Sequence, residues 1–393
     1  MKKYLLCFVS LFTICLNAQP DTEVYLFKII NASENIQLEK VGNISNNTGY
    51  DNQPYFYNDN IIVFSSTRGD QTDIAKYNIR DGKTSWLNNT PNGSEYSPIK
   101  IPGKKDVSAI KLDKDGTQLL NSYNFETGEN KILVDSLKIG YHNWYNDHIL
   151  ICSVLIEDGM DLMLYDTKNK SLKLLDKNVG RSIHKIPNTP LISYISKKEE
   201  IGQIRSINPL TGDSSKIISM ISNAEDICWL INGIILMPSK NKIYSFNPTR
   251  DKNWNLFKTF NDNNLHSITR IASNETGTLL SLVSEVSPEG IVQQQLDAYN
   301  KRDIETFLNT FSDKVEVYNF PNQLSFKGIE NMRKNYADFF KNTADLHCKI
   351  ENRMVIGNKV IDEELVTVNG NTINAVAIYE VTNGKISKVT FIK

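Results

Sequence analysis

Two carboxylates stand two residues apart in a segment near the C-terminus. Asp362 and Glu364 fall within residues 359–368, where apolar and polar residues alternate, and this alternation predicts a strand. Residues i and i+2 of a strand point to the same face, and carboxyl groups that share a site raise the pKa of one of them. The pair therefore predicts a general acid and base. The alternatives are a solvated sheet face or an ion pair with Arg353.

Other side chains in the same region could complete such a site. His347 is a further candidate base, and together with Asp362 and Glu364 it forms the candidate catalytic set. The candidate ligand contacts are three phenols and one guanidinium: Tyr318, Arg333, Tyr336 and Tyr379. A tyrosine can place its hydroxyl in a pocket, and an arginine can hold an anion. Each of these residues could instead have a purely structural role. A tyrosine could pack in the core, His347 could lie at a strand edge, and Arg333 could lie on the exposed face of a helix.

Signatures of other chemistry do not occur in the sequence. It has no Gly-rich phosphate loop, no GxSxG elbow and no HExxH pair. The histidines are not spaced as metal ligands: His142, His184, His266, His347 and His148. Three of them (142, 184 and 266) lie near the starts of repeated units, where they either line a central channel or cap a strand edge. We expect no metal and no cofactor.

The candidates lie in a C-terminal segment whose pattern predicts an α+β fold. An amphipathic helix follows Ser287, a second helix begins with Asp303 as its N-cap, and a third follows Gly328. A strand at residues 315–318 separates the second and third helices. Four strands then finish the chain, joined by the two-residue turns Gly357-Asn358, Asn369-Gly370 and Asn383-Gly384. The order ααβαββββ predicts a curved antiparallel sheet wrapped around helices, with an apolar pocket in its concave face.

Residues 288–393 resemble the SnoaL-like group of the nuclear transport factor 2 (NTF2-like) fold, and within it small bacterial proteins described as steroid Δ-isomerase-like. The resemblance rests on these segments: Val317-Tyr318-Asn319-Phe320-Pro321, Gly328 with Arg333 and Tyr336, Asp345-Leu346-His347, Asn352-Arg353-Met354-Val355-Ile356-Gly357, Val360-Ile361-Asp362-Glu363-Glu364 and Ala377-Ile378-Tyr379-Glu380-Val381. It implies a cone with an apolar pocket and, in many members, a dimer formed through the open sheet. A ketosteroid isomerase uses an Asp base, together with a Tyr and a protonated Asp at the enolate oxygen. The matching positions hold Asn319, Gln295 and Ala377, so the isomerase residues are absent.

The preceding residues, 20–286, repeat with a period of about 43 residues. The clearest unit, residues 50–90, has strands at 61–66 and 73–79 and a hairpin turn at Asp81-Gly82. Four short strands per unit are typical of a β-propeller blade. The last unit has room for only two strands, and residues 22–41 supply two more. The sequence therefore predicts a mainly β protein with a six-bladed propeller, with five or seven blades as alternatives.

The first repeated unit resembles the blade repeat of the periplasmic TolB family. The resemblance rests on Pro54-Tyr55-Phe56, Val63-Phe64-Ser65, Arg68-Gly69 and Asp73-Ile74. It implies a fold rather than a function. We expect a protein or peptide partner on one face of this propeller.

Charge and the N-terminus narrow the function class and the location. The 393 residues include 44 basic and 45 acidic side chains, for a net charge of -1, so we expect no nucleic-acid partner. Lys2, Lys3, an apolar run at 4–16 and Asn17-Ala18-Gln19 predict a signal peptide at 1–19. The protein is therefore expected to be exported, periplasmic or secreted, with no transmembrane segment after cleavage. The mature chain keeps Cys152, Cys228 and Cys348, which predict small buried hydrophobes rather than a disulfide framework.

Three classes of function follow from these patterns. The first is an exported two-domain protein, in which the propeller provides recognition and the SnoaL-like domain binds a small apolar or amphipathic molecule. The second is an isomerase or another proton-transfer enzyme that uses the candidates Tyr318, His347, Asp362, Glu364 and Tyr379. The third is a non-catalytic interaction module that forms a homodimer through the C-terminal domain.

Overall fold

The computed structural model describes residues 19–32, 35–221 and 224–392. Residues 1–18 of the predicted signal peptide lie outside this range. The described chain is mainly β, and its helices are confined to the C-terminal region apart from a short 3-10 turn at Asn263–Leu265. No helix in these ranges is both long enough and apolar enough to span a membrane.

Residues 22–285 form six four-stranded antiparallel sheets. The sixth sheet contains β1 (Thr22–Ala32) and β2 (Asn35–Asn43), together with the much later β23 (Ile268–Ser273) and β24 (Leu279–Glu285). The first sheet contains β3 (Asp51–Asn58), β4 (Ile61–Arg68), β5 (Gln71–Asn78) and β6 (Lys83–Trp86). The second contains β7 (Gly93–Lys100), β8 (Val107–Asp113), β9 (Gln118–Tyr123) and β10 (Asn130–Val134).

The next three sheets follow the same strand order. The third contains β11 (Ile139–Trp144), β12 (Ile149–Ile156), β13 (Gly159–Asp166) and β14 (Ser171–Asp176). The fourth contains β15 (Val179–Lys185), β16 (Ile192–Ser196), β17 (Gln203–Ile207) and β18 (Ser214–Ser219). The fifth contains β19 (Cys228–Trp229), β20 (Ile235–Ser239), β21 (Lys242–Phe246) and β22 (Asn255–Thr259). Four-stranded sheets of this kind fit propeller blades.

The N-terminal strands complete the last sheet, as the repeat pattern predicts. Strand β1 pairs with β24 in antiparallel register, with Val24 opposite Val283. Its other edge pairs with β2. Because both edges of β1 are paired, its backbone offers no free edge to another chain.

Hydrophobic clusters join each of these sheets to the next. Each cluster contains buried residues from two consecutive sheets. The sixth sheet packs on the fifth, where Leu280 and Ile243 share a cluster. It also packs on the first sheet, where Leu26 and Phe64 share another. The sheet interfaces among the described residues therefore form a closed series.

Hydrogen bonds across the sheet interfaces repeat along the chain. The indole Nε1 of Trp144 donates to Ser108 Oγ at 2.8 Å, across the second and third sheets. The indole Nε1 of Trp229 donates to Ser193 Oγ at 2.8 Å, across the fourth and fifth. Both pairs are separated by 36 residues. The repeat seen in the sequence thus places equivalent side chains in equivalent contacts.

The C-terminal region folds one curved sheet over three helices. The helices are α1 (Pro288–Lys301), α2 (Ile304–Asn309) and α3 (Ile329–Asn342). The sheet has the spatial order β26 (Gln323–Lys327), β25 (Phe311–Asn319), β30 (Lys385–Ile392), β29 (Asn371–Thr382), β28 (Lys359–Val368) and β27 (His347–Ile356). Neighbours are antiparallel, except that β25 and β30 are parallel. The predicted order is confirmed with one addition, since β26 follows β25 before α3.

Local sequence signals set the ends of these elements. Asn369 and Gly370 have φ values of 50° and 79°, as the two central residues of a type I′ hairpin require. Asp303 caps α2 by accepting a hydrogen bond from the backbone N–H of Thr306. Packing then joins the helices to the concave face of the sheet, where Val292, Phe307, Phe340, Val360 and Tyr379 share one buried cluster.

Candidate functional site

A cavity of about 370 Å³ lies between the concave face of the C-terminal sheet and helices α1 and α3. Half of its lining side chains are aliphatic or phenylalanine, and the others are polar or tyrosine. The lining residues are Gln295, Leu296, Tyr299, Val317, Asn319, Ser325, Phe326, Asn335, Tyr336, Phe339, Cys348, Glu364, Val366, Val368, Ile373, Ala375, Tyr379 and Phe391. Such a cavity can bury an apolar body and can orient it through a few polar groups.

Glu364 is the one acidic or basic side chain among these lining residues. It lies on β28 with 6% of its surface exposed, and its Oε1 accepts a hydrogen bond from Tyr379 Oη at 2.9 Å. Burial, with a smaller contribution from the charge of Asp362, raises the pKa of Glu364 to about 7, against the opposing effects of the Tyr379 hydrogen bond and the charge of Arg353. The carboxyl group therefore changes its charge near neutral pH.

Asp362, two residues earlier on the same face, has a dedicated partner. Arg353 lies directly opposite it on β27 and donates Nε and Nη2 to its two carboxylate oxygens, each at 2.7 Å. Arg353 Nη1 also donates to Gln293 Oε1 at 2.8 Å. Asp362 is 1% exposed and lies outside the cavity lining. The ion pair that the sequence left as an alternative is formed.

The groups around Glu364 stay neutral over the physiological range. Burial raises the pKa of the Tyr336 phenol and of the Cys348 thiol to about 12 in each case. A thiol with such a pKa is not a nucleophile at neutral pH. The cavity thus contains neutral hydrogen-bonding groups and one carboxyl group that can give or take a proton.

The cavity brings together Glu364, Tyr336 and Tyr379 among the residues proposed from sequence. Tyr318 lies outside it, because Val317 and Asn319 on either side of it face the cavity and alternate residues of a strand face apart. Its hydroxyl donates to Glu316 Oε2 at 2.9 Å.

Arg333 and His347 also lie outside the cavity. The guanidinium of Arg333 donates to Glu305 at 3.0 Å on the surface of the helices, so it is paired away from the pocket. His347 is exposed at the start of β27. Of the five residues in the enzyme hypothesis, only Glu364 and Tyr379 line the cavity, so the five do not converge on one site. Arg333 and His347 do not enter the proposal below.

The structure adds polar residues that the sequence did not single out as ligand contacts. Gln295, on α1, is 6% exposed. The sequence feature that could have identified it as a pocket residue is an amide on the apolar face of a helix. Asn319 lies at the end of β25, Asn335 precedes Tyr336 on α3, and Ser325 lies on the unpredicted β26. These side chains can direct hydrogen bonds into the cavity.

A second and larger cavity, of about 560 Å³, lies in the N-terminal region. Of the three histidines for which the sequence left open a channel lining or a strand edge, His142 and His184 line this cavity, whereas His266 is not among its lining residues. Burial lowers the pKa of His142 to about 3, and its Nε2 pairs with Ser108 Oγ at 2.8 Å. Within the described ranges, no group of three or more His, Cys, Asp and Glu side chains is placed to hold a metal ion.

The curved sheet, its three helices and the enclosed pocket define an α+β cone domain. Residues 292–389 match the family model of the SnoaL-like domain. The predicted resemblance of this part of the chain is therefore confirmed.

Solved structures resemble the two regions separately. A cystatin-fold protein from Novosphingobium aromaticivorans is 24% identical over 28% of this chain and 99% of its own, with a TM-score of 0.27. TolB from Acinetobacter baumannii is 11% identical over 68% of this chain and 64% of its own, with a TM-score of 0.44. An oligogalacturonate lyase in complex with manganese is 11% identical over 64% of this chain and 82% of its own, with a TM-score of 0.44. No curated protein is similar enough to the chain to count as a relative.

Proposed function

We propose that the chain is an exported two-domain protein whose SnoaL-like domain binds a small apolar or amphipathic molecule. In this proposal residues 1–19 are a signal peptide, 20–286 a recognition domain and 287–393 the binding domain. The observation that carries it is the 370 Å³ cavity, half of whose lining side chains are aliphatic or phenylalanine, with Glu364 as the one carboxyl group in the lining. An apolar body would occupy the wall formed by Phe339, Val366 and Phe391, and a polar end would reach Glu364 and Tyr379.

The proposal is tested with the full mature chain. Native mass spectrometry reports any retained molecule, and an environment-sensitive apolar fluorophore reports the cavity directly. Ala375→Phe places a phenyl ring in the cavity, and we expect it to weaken fluorophore binding at least tenfold because the ring occupies the ligand volume. Ala344→Phe makes the same change at an exposed turn position and serves as the matched control. Equal binding by both variants would count against the pocket.

We further propose that residues 20–286 form a six-bladed propeller that recognises a partner. The support is the number of four-stranded sheets among the described residues and the closed series of hydrophobic clusters between them. One edge strand from each of the six sheets lines the larger cavity, with further residues beside β19 in the fifth. This is the arrangement expected around a propeller channel.

Proton transfer is a second candidate function, and it rests on Glu364 alone. A carboxyl group with a pKa of about 7 matches the requirement for an acid and base that works at neutral pH. To test this, an apolar β,γ-unsaturated ketone is incubated with the protein in D₂O. NMR then follows hydrogen–deuterium exchange at the carbon next to the carbonyl. Wild type is expected to accelerate exchange, and Glu364→Gln to abolish the acceleration. Binding without exchange would leave the binding function and would remove the enzymatic one.

A further inference from the structure

The larger cavity is bounded by sheet edges rather than by a sheet face. Its lining comes from β3, β7, β11, β15 and β23, together with residues in and beside β19. Each of these strands lies at an edge of its sheet, and in the first five sheets it is also the first strand in chain order. The cavity therefore collects side chains from parts of the chain that are far apart in sequence.

Two arginines from different sheets face this cavity. Arg181, on β15, donates Nη2 to the carbonyl of Thr269 at 2.7 Å, and its buried Nε has no hydrogen-bond partner among the described residues. The nearest carboxylate, that of Glu225, is 3.9 Å away. Arg270, on β23, lies over the ring of Tyr141 at 5.2 Å. Neither guanidinium has a bidentate carboxylate partner in the described chain.

Positive charge exceeds negative charge along the cavity wall. The lining contains Arg181, Lys185 and Arg270 against Asp226 and Glu275. Glu275 interacts electrostatically with Lys185. Asp226 is then the one lining carboxylate that remains to balance the two arginines.

Asp226 does not cancel both guanidinium charges. It is 6% exposed, and its Oδ2 accepts the backbone N–H of Ile271 at 3.1 Å. Burial and the like charge of Arg270 lower the pKa of Arg181, whereas Asp226 and the neighbouring tyrosines raise the pKa of Arg270 against its burial, so Asp226 stabilises the charge of Arg270 more than that of Arg181. Because Glu225 pairs with Lys197, one positive charge is left over beside the unpaired Nε–H of Arg181.

We propose that this central cavity binds a carboxylate of a ligand between Arg181 and Arg270. A carboxylate carries the single negative charge that the site lacks, and planar guanidinium groups match its two oxygens. A phosphate dianion would exceed that charge. The carboxylate could come from the C-terminus of a peptide or from a sugar acid. The inference deepens the recognition role proposed for the propeller and rests on it, but it is independent of the SnoaL-like cavity.

Calorimetric titration of the full mature chain tests the proposal. The probes are N-acetyl-dialanine with a free C-terminus against its amide, and glucuronate against glucose. We expect at least one acid to bind and its neutral counterpart not to bind, and the acid that binds identifies the source. Arg181→Gln and Arg270→Gln are each expected to weaken binding at least tenfold. Arg80→Gln removes the same charge from an exposed arginine of the first sheet and is expected to stay within twofold of wild type.

A measurement on wild type keeps the test valid if an arginine variant fails to fold. Phenylglyoxal modifies accessible arginines, and peptide mapping should show that the bound acid protects Arg181 and Arg270 but not Arg80. The proposal is overturned if neither acid binds, if inorganic phosphate binds more tightly than both, or if the arginine variants bind as wild type does. Fluorophore binding by the same samples reports the SnoaL-like cavity, so failure at one site is separable from failure at the other.

Discussion

The two cavities differ in the part of a β-sheet from which each is built. The N-terminal cavity collects side chains from the edges of several sheets, and arginines and neutral histidines line it. The C-terminal cavity lies on the face of one sheet, under helices, and Glu364 is its single carboxyl group, with no Lys, Arg or His in the lining. In the N-terminal cavity, Asp226 lies among the lining residues and offsets part of the positive charge of the arginines. In the C-terminal cavity, the lining side chains around Glu364 are neutral. The arginines therefore keep an excess of positive charge, whereas the Glu364 carboxylate can take up a proton near neutral pH.

The same contrast appears within one strand of the cone. Asp362 and Glu364 lie on the same face of β28, but the register places Arg353 opposite Asp362 and places Ile350 and Ala375 opposite Glu364. The two buried carboxyl groups therefore differ in their cross-strand partners, which are a guanidinium for Asp362 and aliphatic side chains for Glu364.

The largest expected effect comes from breaking the paired carboxylate. Arg353→Met leaves Asp362 buried without its counter-charge, and we expect the C-terminal region to lose about 3–5 kcal/mol of unfolding free energy. All four tryptophans, at positions 86, 144, 229 and 254, lie in the N-terminal region. Tryptophan fluorescence in urea therefore follows the N-terminal region, which should not change, while hydrogen–deuterium exchange in urea, read by mass spectrometry on peptides from residues 287–393, follows the cone.

An exposed ion pair supplies the control for that variant. Lys349 and Glu351 have side chains that are 63% and 40% exposed, and Lys349→Met should cost less than about 1 kcal/mol because water screens such pairs. If Arg353→Met cost no more than Lys349→Met, the buried pair would have no special role.

The next effect comes from the unpaired carboxyl group. Because folding raises the pKa of Glu364 from 4.5 to about 7, the folded cone favours the protonated form. Its contribution to stability is complete below about pH 4.5 and is lost as pH rises through 7. The loss approaches about 3 kcal/mol above pH 8. Glu364→Gln keeps the neutral shape, so it should remove this pH dependence and be the more stable protein at pH 8.

Urea unfolding of the cone between pH 5 and 8 measures this difference. The exposed Glu351→Gln serves as the control and is expected to keep the wild-type slope. A wild-type slope in Glu364→Gln would show that another group titrates in this window.

Features that depend on neighbouring residues could be predicted from the sequence. The Asn369-Gly370 turn needs only two residues with positive φ, and both were identified. Strand β26 was missed: Leu324 and Phe326 alternate with polar residues in it, but the pattern covers only five residues. The strand is stabilised by pairing with β25, which a local pattern cannot reveal.

Features that depend on tertiary packing could not be predicted. Alternation shows that Val317 and Tyr318 face opposite ways, but the packing of the helices decides which of them faces the cavity. Likewise, Arg181 and Arg270 belong to different repeats and approach each other only when the fourth and sixth sheets share a cavity wall. The sequence predicted that Asp362 and Glu364 face the same side of their strand. Whether Asp362 forms an ion pair with Arg353 or shares a site with Glu364 depends on the strand register, which the sequence does not reveal.

A smaller effect is expected where buried contacts are neutral. Ser108 is fully buried and contacts Trp144 Nε1 and His142 Nε2, each at 2.8 Å. Ser108→Ala leaves two buried nitrogen atoms without this partner, so the N-terminal region should lose about 2 kcal/mol by tryptophan fluorescence. The loss should be the same at pH 5 and pH 8, because the pKa of His142 is about 3. A pH-dependent loss would mean that His142 takes up a proton. Ser85→Ala, on the exposed strand β6, should have almost no effect.

The smallest effect should come from the equivalent serine two sheets further on. Ser193 receives the indole hydrogen of Trp229 at 2.8 Å and, like Ser108, donates to a backbone carbonyl of its own sheet. It has no histidine partner in the structure, so Ser193→Ala leaves one nitrogen unpaired rather than two. We expect a loss of about 1 kcal/mol by the same measurement. The difference between the two variants then reports the contribution of His142. Equal losses would mean that the His142 contact adds nothing to stability, and that the repeat, rather than the histidine, sets the strength of these interfaces.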